Sequence, residues 1–309
     1  MMVYGLLGIT ILFAFLSIFF AWRGTTKPVG QGWHLLLLAV SIAVFIYLYG
    51  TWVFLSVYAR YVFGIVFISI FILRVFGFGK KNKLPVKSGK IVPVLFAIIF
   101  IGFAVLYFTG TRREIEKAAL RFPLKKGSYF VLQGGKGLPA NFFHYAYRGA
   151  VFAIDLVKLN KYGNRANAIF SKRLEDYEIF NDTVYSPCRG RVIRMRDENP
   201  DNIPSVRKRG PSNINQVLIE TDSFYVFLGH LKQNEVYVKE GDFVEIGQVL
   251  GLVGNSGFSL EPHLHIQVHK NSHSGLNWYQ EEPLYIEFDG RSYLLFEMIR
   301  PKRVKMVEP

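Results

Sequence analysis

Cysteine is almost absent from this 309-residue chain: Cys188 stands alone, so no internal disulfide can form and one common support of exported domains is missing. Acidic residues are scarce, 23 Asp and Glu against 37 Lys and Arg, which leaves a formal charge of +14. No internal repeat and no low-complexity tract occurs, which excludes a solenoid. Charge of either sign is thin at 19%, while half of the residues are hydrophobic. That balance excludes a disordered chain and weighs against an all-soluble one. The string SPCRGRV reads as a turn leading into a strand, so the Cys188 thiol is expected to be buried and structural rather than a nucleophile.

Most of the missing charge is missing from the first third. Apolar runs near residues 3–22, 33–57, 61–78 and 91–111 each approach the ~20 residues that cross a bilayer as a helix. The third carries Arg74, placed near its end where a long side chain can reach the headgroups. Before the fourth run, residues 80–90 hold Lys80, Lys81, Lys83, Lys87 and Lys90 and no acid. Basic loops stay cytoplasmic, so everything after Thr111 is expected outside, and with four spans the N-terminus is outside too. The first run lacks a basic start and an Ala-x-Ala site, and so reads as a span rather than a cleaved leader. Much of the +14 is then loop charge. Membrane lipids or an anionic envelope polymer are its expected counterparts, and nucleic acid is not. The apolar runs show no acidic residue or charged pair of the kind transport requires.

Past the runs, RREIEKAAL (112–120) reads as a short polar helix stopped by Pro123, so 112–123 is expected to be a juxtamembrane linker. Residues 124–290 are divided by Gly, Pro, Asn and Asp into short β-rich runs: YFVLQGG, AVFAIDLV, RVIRM, NQVLIET, FYVFLGHL, FVEIGQVLGLVG and HLHIQVH. This predicts an all-β sandwich or barrel, with 197–213 as a long surface loop and 291–309 as a tail.

Five of the seven histidines follow Phe227. His263 and His265 lie two apart on a strand and therefore share a face. His230 closes the run FYVFLGH, and Asp155 sits at the exit of AVFAIDLV. A lone strand histidine is more often structural, and a lone Asp more often forms a turn. The combination of a strand-end carboxylate with several imidazoles matches a hydrolytic Zn²⁺ site, which needs about three N/O ligands and one open position. His269, four residues past His265, is expected on the surface or behind the site; His273 in NSHSG is expected to be solvated, and His34 beside Trp33 to be interfacial. The glycines of GLVGNSGFS precede no helix start or Lys, unlike a phosphate-binding loop. They read as turns, with Gly251, Gly254 and Gly257 laying the HLH strand alongside the GQVLG strand.

The stretch 229–268, GHLKQNEVYVKEGDFVEIGQVLGLVGNSGFSLEPHLHIQV, resembles the signature of the lysostaphin/LytM-type zinc metallopeptidases: His-Leu, Gly-Asp-x-Val, Gly-Gln, Gly-Asn-Ser/Thr-Gly, then His-x-His. FAIDLV and VYSPCRGRVI are similar to the family's upstream segments, and the likeness covers roughly 129–270. The resemblance implies a lysostaphin-like antiparallel β-sandwich, which here would follow the helical membrane anchor read from the apolar runs, a part to which the likeness does not extend. It implies one zinc per chain, with Asp155 and His265 as ligands and His230 and His263 as unliganded catalytic groups. It further implies peptidoglycan peptides as substrate, and with the apolar runs and the basic loop the catalytic domain is expected outside a bacterial plasma membrane crossed several times. One position departs from the pattern: the family's first ligand, four residues before the Asp, is here Val151. His144, eleven residues before Asp155, is the expected replacement; failing it, the domain would be an inactive wall-binding or regulatory module. GDFVEIGQVLG also suits lipoyl-like and phosphotransfer domains, but no Lys falls at a hairpin tip there, and an outward topology separates it from cytoplasmic phosphate donors.

Overall fold

The computed structural model describes residues 2–26, 31–76, 89–111, 116–146, 148–206 and 209–301. The chain forms two compact units, Met1–Phe108 with Tyr162–Asn164, and Thr109–Lys161 with Arg165–Pro309.

The first unit is helical: α1 (Met2–Thr25), α2 (Trp33–Tyr49), α3 (Val57–Val75) and α4 (Ile91–Thr109). By length and composition, two stretches among the described residues could cross a membrane, Val3–Thr25 and Ile91–Thr109; the apolar helices Trp33–Tyr49 and Val57–Leu73 are shorter. The second expected run does not continue to residue 57. It stops at Gly50, whose backbone turns extended and whose place allows no Cβ, since one would fall 2.3 Å from the Ile46 carbonyl oxygen. The Trp52 indole N–H donates to that same carbonyl and seals the helix end. α3 then starts four residues earlier than expected, because the Ser56 hydroxyl accepts from the Tyr58 N–H as an N-cap. His34, expected at an interface, is buried. Residues 80–88, most of the basic loop that sets the expected orientation, lie outside the described residues.

The second unit is built on strands β1 (Lys117–Leu120), β2 (Ser128–Gln133), β3 (Ile154–Leu159), β4 (Thr183–Tyr185), β5 (Gly190–Arg196), β6 (Gln216–Glu220), β7 (Phe224–Gly229), β8 (Leu231–Val236), β9 (Phe243–Val244), β10 (Val249–Val253), β11 (Leu264–Lys270), β12 (Pro283–Phe288), β13 (Arg291–Ser292) and β14 (Met298–Ile299), with one short helix, α5 (Phe142–Tyr145). A large sheet runs β14-β2-β3-β11-β7-β6-β5-β9, with β12 joining β11, β1 and β13; a small sheet runs β4-β10-β8. All described pairs are antiparallel except β1 with β12. Inward side chains of both sheets meet in one core that includes Leu156, Val192, Ile219, Leu228 and Ile266 from the large sheet and Val184, Leu231 and Leu250 from the small one.

Three expectations change. Residues 117–120 form a strand, not the end of a helix: Ala118 and Leu120 alternate into the core while Lys117 ion-pairs with Glu287 on β12. Two short strands, β13 and β14, lie inside the expected tail, β14 pairing with β2. And the HLH strand does not lie beside GQVLG: β11 belongs to the large sheet and β10 to the small one. Gly251 instead serves a close approach to β8, where a Cβ would fall 2.4 Å from the Glu235 carbonyl oxygen.

Candidate metal centre

The parity of β11 builds the site. Leu264, Ile266 and Val268 enter the core, so His265, Gln267 and His269 must face the other side of the sheet. A slip of one residue would put the imidazoles in the core and the aliphatic side chains in the cleft, so burial of the three aliphatics, about 1.5–3 kcal/mol each, holds the register. In that register His265 lies opposite Asp155 on β3 and Gly229 on β7. The next residue, His230, adopts φ 63°, a left-handed conformation costly for a non-glycine residue, and its ring turns to the same place. His144 arrives from α5, and His263 from the loop ahead of β11.

The five residues expected at a site therefore come together, all buried. Asp155 is the hub: its Oδ2 lies 3.3 Å from His144 Nε2, and its Oδ1 lies 2.9 Å from His265 Nδ1 and 3.5 Å from His263 Nε2. The His230 and His263 ring centroids are 4.5 Å apart. Two overlapping sets of possible ligands result, His144–Asp155–His265 and His230–His263–His265, each with donor atoms within 4.8 Å of one another.

Hydrogen bonds on the outer nitrogens fix which atoms face inward. The Asn141 side-chain NH₂ donates to the carbonyls of Val151 and Ala153, so its Oδ1 must accept from His144 Nδ1–H. His263 Nδ1–H donates to the Glu261 carbonyl at 2.8 Å, and His230 Nδ1–H to the Ser256 carbonyl at 2.7 Å. On the opposite nitrogen, His265 Nε2–H donates to Gln267 Oε1 at 2.9 Å. Gln267 keeps that orientation because its NH₂ faces His269 Nε2, while His269 Nδ1–H donates to the Glu281 carbonyl. His144 and His263 thus present Nε2 lone pairs, and His265 its Nδ1 lone pair, to one carboxylate, while His230 keeps its Nε2 free for the neighbouring set with His263 and His265. Lone pairs aimed at an anion repel unless a cation lies among them.

The electrostatics agree. Burial alone would raise the Asp155 carboxyl, but the neighbouring His144, His263 and His265 outweigh it and hold it well below the usual carboxylate range. Burial would lower His265, yet a proton taken up on Nδ1 would be hydrogen-bonded to and attracted by Asp155, which raises the ring above ordinary imidazole. His230 is held well below its ordinary value, by burial first and then by the His263 and His265 rings. His269 proves buried, not on the surface, and supports the site through Gln267. His273 is exposed as expected, and Cys188 is buried with its thiol pushed up to about 12 by burial.

Residues 175–276 match the family model described as Peptidase family M23. That stretch of the chain is similar to the M23 peptidases. The matched stretch contains His230, His263 and His265 and begins after His144 and Asp155. Among solved structures, the chain is similar to a zinc-containing peptidase from Vibrio cholerae (19% identity, 54% of this chain and 39% of that one, TM-score 0.30). It is also similar to a mutant catalytic domain of the prophage-encoded M23 protein EnpA from Enterococcus faecalis (18%, 53% and 94%, 0.32) and to the catalytic domain of lysostaphin, an antimicrobial peptidase from Staphylococcus simulans (17%, 50% and 84%, 0.28). No curated protein sequence matches the chain.

Four supporting residues were not legible in the sequence. Asn141 stands three residues before His144 and Gln267 two after His265, positions whose only signal is helical and strand periodicity. The buried pair Arg165–Glu261 joins segments far apart in the chain and gave no local sign.

Proposed function

We propose that this chain is a membrane-anchored zinc metalloendopeptidase that hydrolyses peptide bonds of bacterial peptidoglycan, with His144, Asp155 and His265 holding the metal. The convergence of locked lone pairs on Asp155 carries this reading: mixed imidazole and carboxylate donors suit Zn²⁺. Bound zinc would supply Lewis acidity, lowering the pKa of a water from about 15.7 to about 7. The chain's own part falls to His230 and His263. Their outer Nδ1–H groups are committed to the carbonyls of Ser256 and Glu261, so only Nε2 can exchange a proton with a reacting group. Once protonated there, each becomes a donor aimed into the cleft, able to stabilise a developing oxyanion.

The anchor reading rests on what the helices leave exposed. Phe15, Ile65 and Ile98 are 68%, 66% and 58% exposed, and lipid is the solvent that tolerates such surfaces. We read α1 to α4 as crossing or entering the plasma membrane, with the basic loop inside and the M23 domain on the extracytoplasmic side, where wall peptides and lipid surface are its partners.

The test is digestion of purified cell wall by the full chain in detergent, with and without chelator, and mass spectrometry of the new amino termini. Chelator-sensitive release restored by zinc is expected. No release at one zinc per chain would sink the catalytic reading and leave a wall-binding module of the same fold.

A further inference from the structure

The M23-type pattern expects a ligand at position 151, and Val151 cannot be one. Its backbone carbonyl nevertheless takes part in the site at one remove. Asn141 is fully buried and donates from Nδ2 to Val151 at 3.0 Å and to Ala153 at 2.9 Å, which uses both amide hydrogens. Flipping the amide would set its oxygen against two carbonyl oxygens. Oδ1 is therefore pinned toward His144 Nδ1, at 2.9 Å, and an oxygen there accepts only from the Nδ1–H form. Asn141 is itself held through its backbone, its N–H donating to Gly137 and its carbonyl accepting from Tyr145.

His144 faces a choice that Asn141 decides. With hydrogen on Nε2, its ring would donate to Asp155 Oδ2 and form a plain buried His–Asp hydrogen bond that leaves no nitrogen for a cation. With hydrogen on Nδ1, Nε2 faces Oδ2 across 3.3 Å as a second electron-pair donor. We propose that Asn141 is a positioning residue that turns His144, eleven residues from Asp155, into a metal ligand by locking the Nδ1–H tautomer. In this way the backbone of position 151 does, through two intermediaries, what a side chain there does in the pattern.

This rests on the metal-centre reading, and the experiment separates the two. Zinc affinity is measured for the full chain by competition with a chromogenic chelator, for wild type, Asn141→Ala, His144→Ala and the double variant. Asn141→Ala is expected to weaken zinc about 10- to 100-fold, as loss of an outer partner of a ligating imidazole does. His144→Ala weakens it at least as much, and the double variant matches His144→Ala, because Asn141 acts only through His144. Unchanged affinity in Asn141→Ala, or a further loss when Asn141→Ala is added to His144→Ala, overturns the proposal while leaving the metal centre standing. Absence of tight zinc in wild type overturns both. Should Asn141→Ala fail to fold, histidine ¹⁵N NMR of zinc-loaded wild type decides: Nδ1–H with ligated Nε2 on His144 is expected, and the reverse tautomer overturns it.

Discussion

The guanidinium of Arg165, 2% exposed, grips both carboxylate oxygens of Glu261 at 2.8 Å. Glu261 is also the residue whose carbonyl accepts from His263 Nδ1–H, so the ion pair fastens the segment that aims a proposed catalytic ring. Removing one partner strands a buried charge. Glu261→Leu is expected to cost about 3–5 kcal/mol, and Arg165→Met with Glu261→Leu to recover most of it. Thermal unfolding of the full chain checks this; equal losses in the single and double variants would refute the account.

Residue 230 trades stability for placement. Its left-handed backbone favours Asn over His, at a cost of about 1 kcal/mol. His230→Asn is expected to unfold at higher temperature than wild type while wall hydrolysis falls at least 100-fold. A less stable His230→Asn would mean that strain is not what this position carries.

Zinc should stabilise the fold, by about 2.7 kcal/mol when free zinc is 100-fold above Kd, and chelator should reverse it. Because Asp155 raises His265 above ordinary imidazole, a proton competes for Nδ1 at higher pH than usual. The zinc-dependent shift in melting temperature is therefore expected to shrink as pH falls through neutrality, and to be absent in His265→Ala. A shift that grows on acidification would rule this out.

Alkali should attack the core at Tyr129. Its hydroxyl donates to Asp182 at 2.6 Å, and burial first, then the Asp182 charge, push the phenol far above its ordinary value. The raised group contributes stability that is complete below the ordinary value near 10 and is lost as pH rises beyond it. Tyr129→Phe is expected to be less stable by about 1.5 kcal/mol at pH 7 and to lose less stability than wild type between pH 9 and 11. Parallel melting curves across that range would contradict it.

Most of the large sheet was legible because its strands carry their own period. HLHIQVH alternates, which put His263 and His265 on one face before any partner strand was known; AVFAIDLV predicts Asp155 at a strand exit, whereas β3 begins at Ile154 and Asp155 lies at its entrance. Stretch 117–120 misled because KAAL has helical propensity, and only its partner β12, with the Lys117–Glu287 pair, makes it a strand. Gly50 was invisible within an uncharged run because hydropathy does not register the indole of Trp52 turning back on Ile46. Pairings that depend on residues a hundred positions away, such as Arg165 with Glu261, leave no trace in local pattern.

The matched stretch 175–276 is not a separable piece. β11 bonds to β3 upstream and β12 downstream, and β2 and β3, with α5, bring in everything that precedes Asp155. Excised at those limits, β11 would bare a hydrogen-bonding edge ready to recruit another copy, and the fragment would keep His230, His263 and His265 but lose His144 and the Asp155 carboxylate. Such a fragment should aggregate; a version that keeps every strand of the large sheet extends from Lys117 through Ile299.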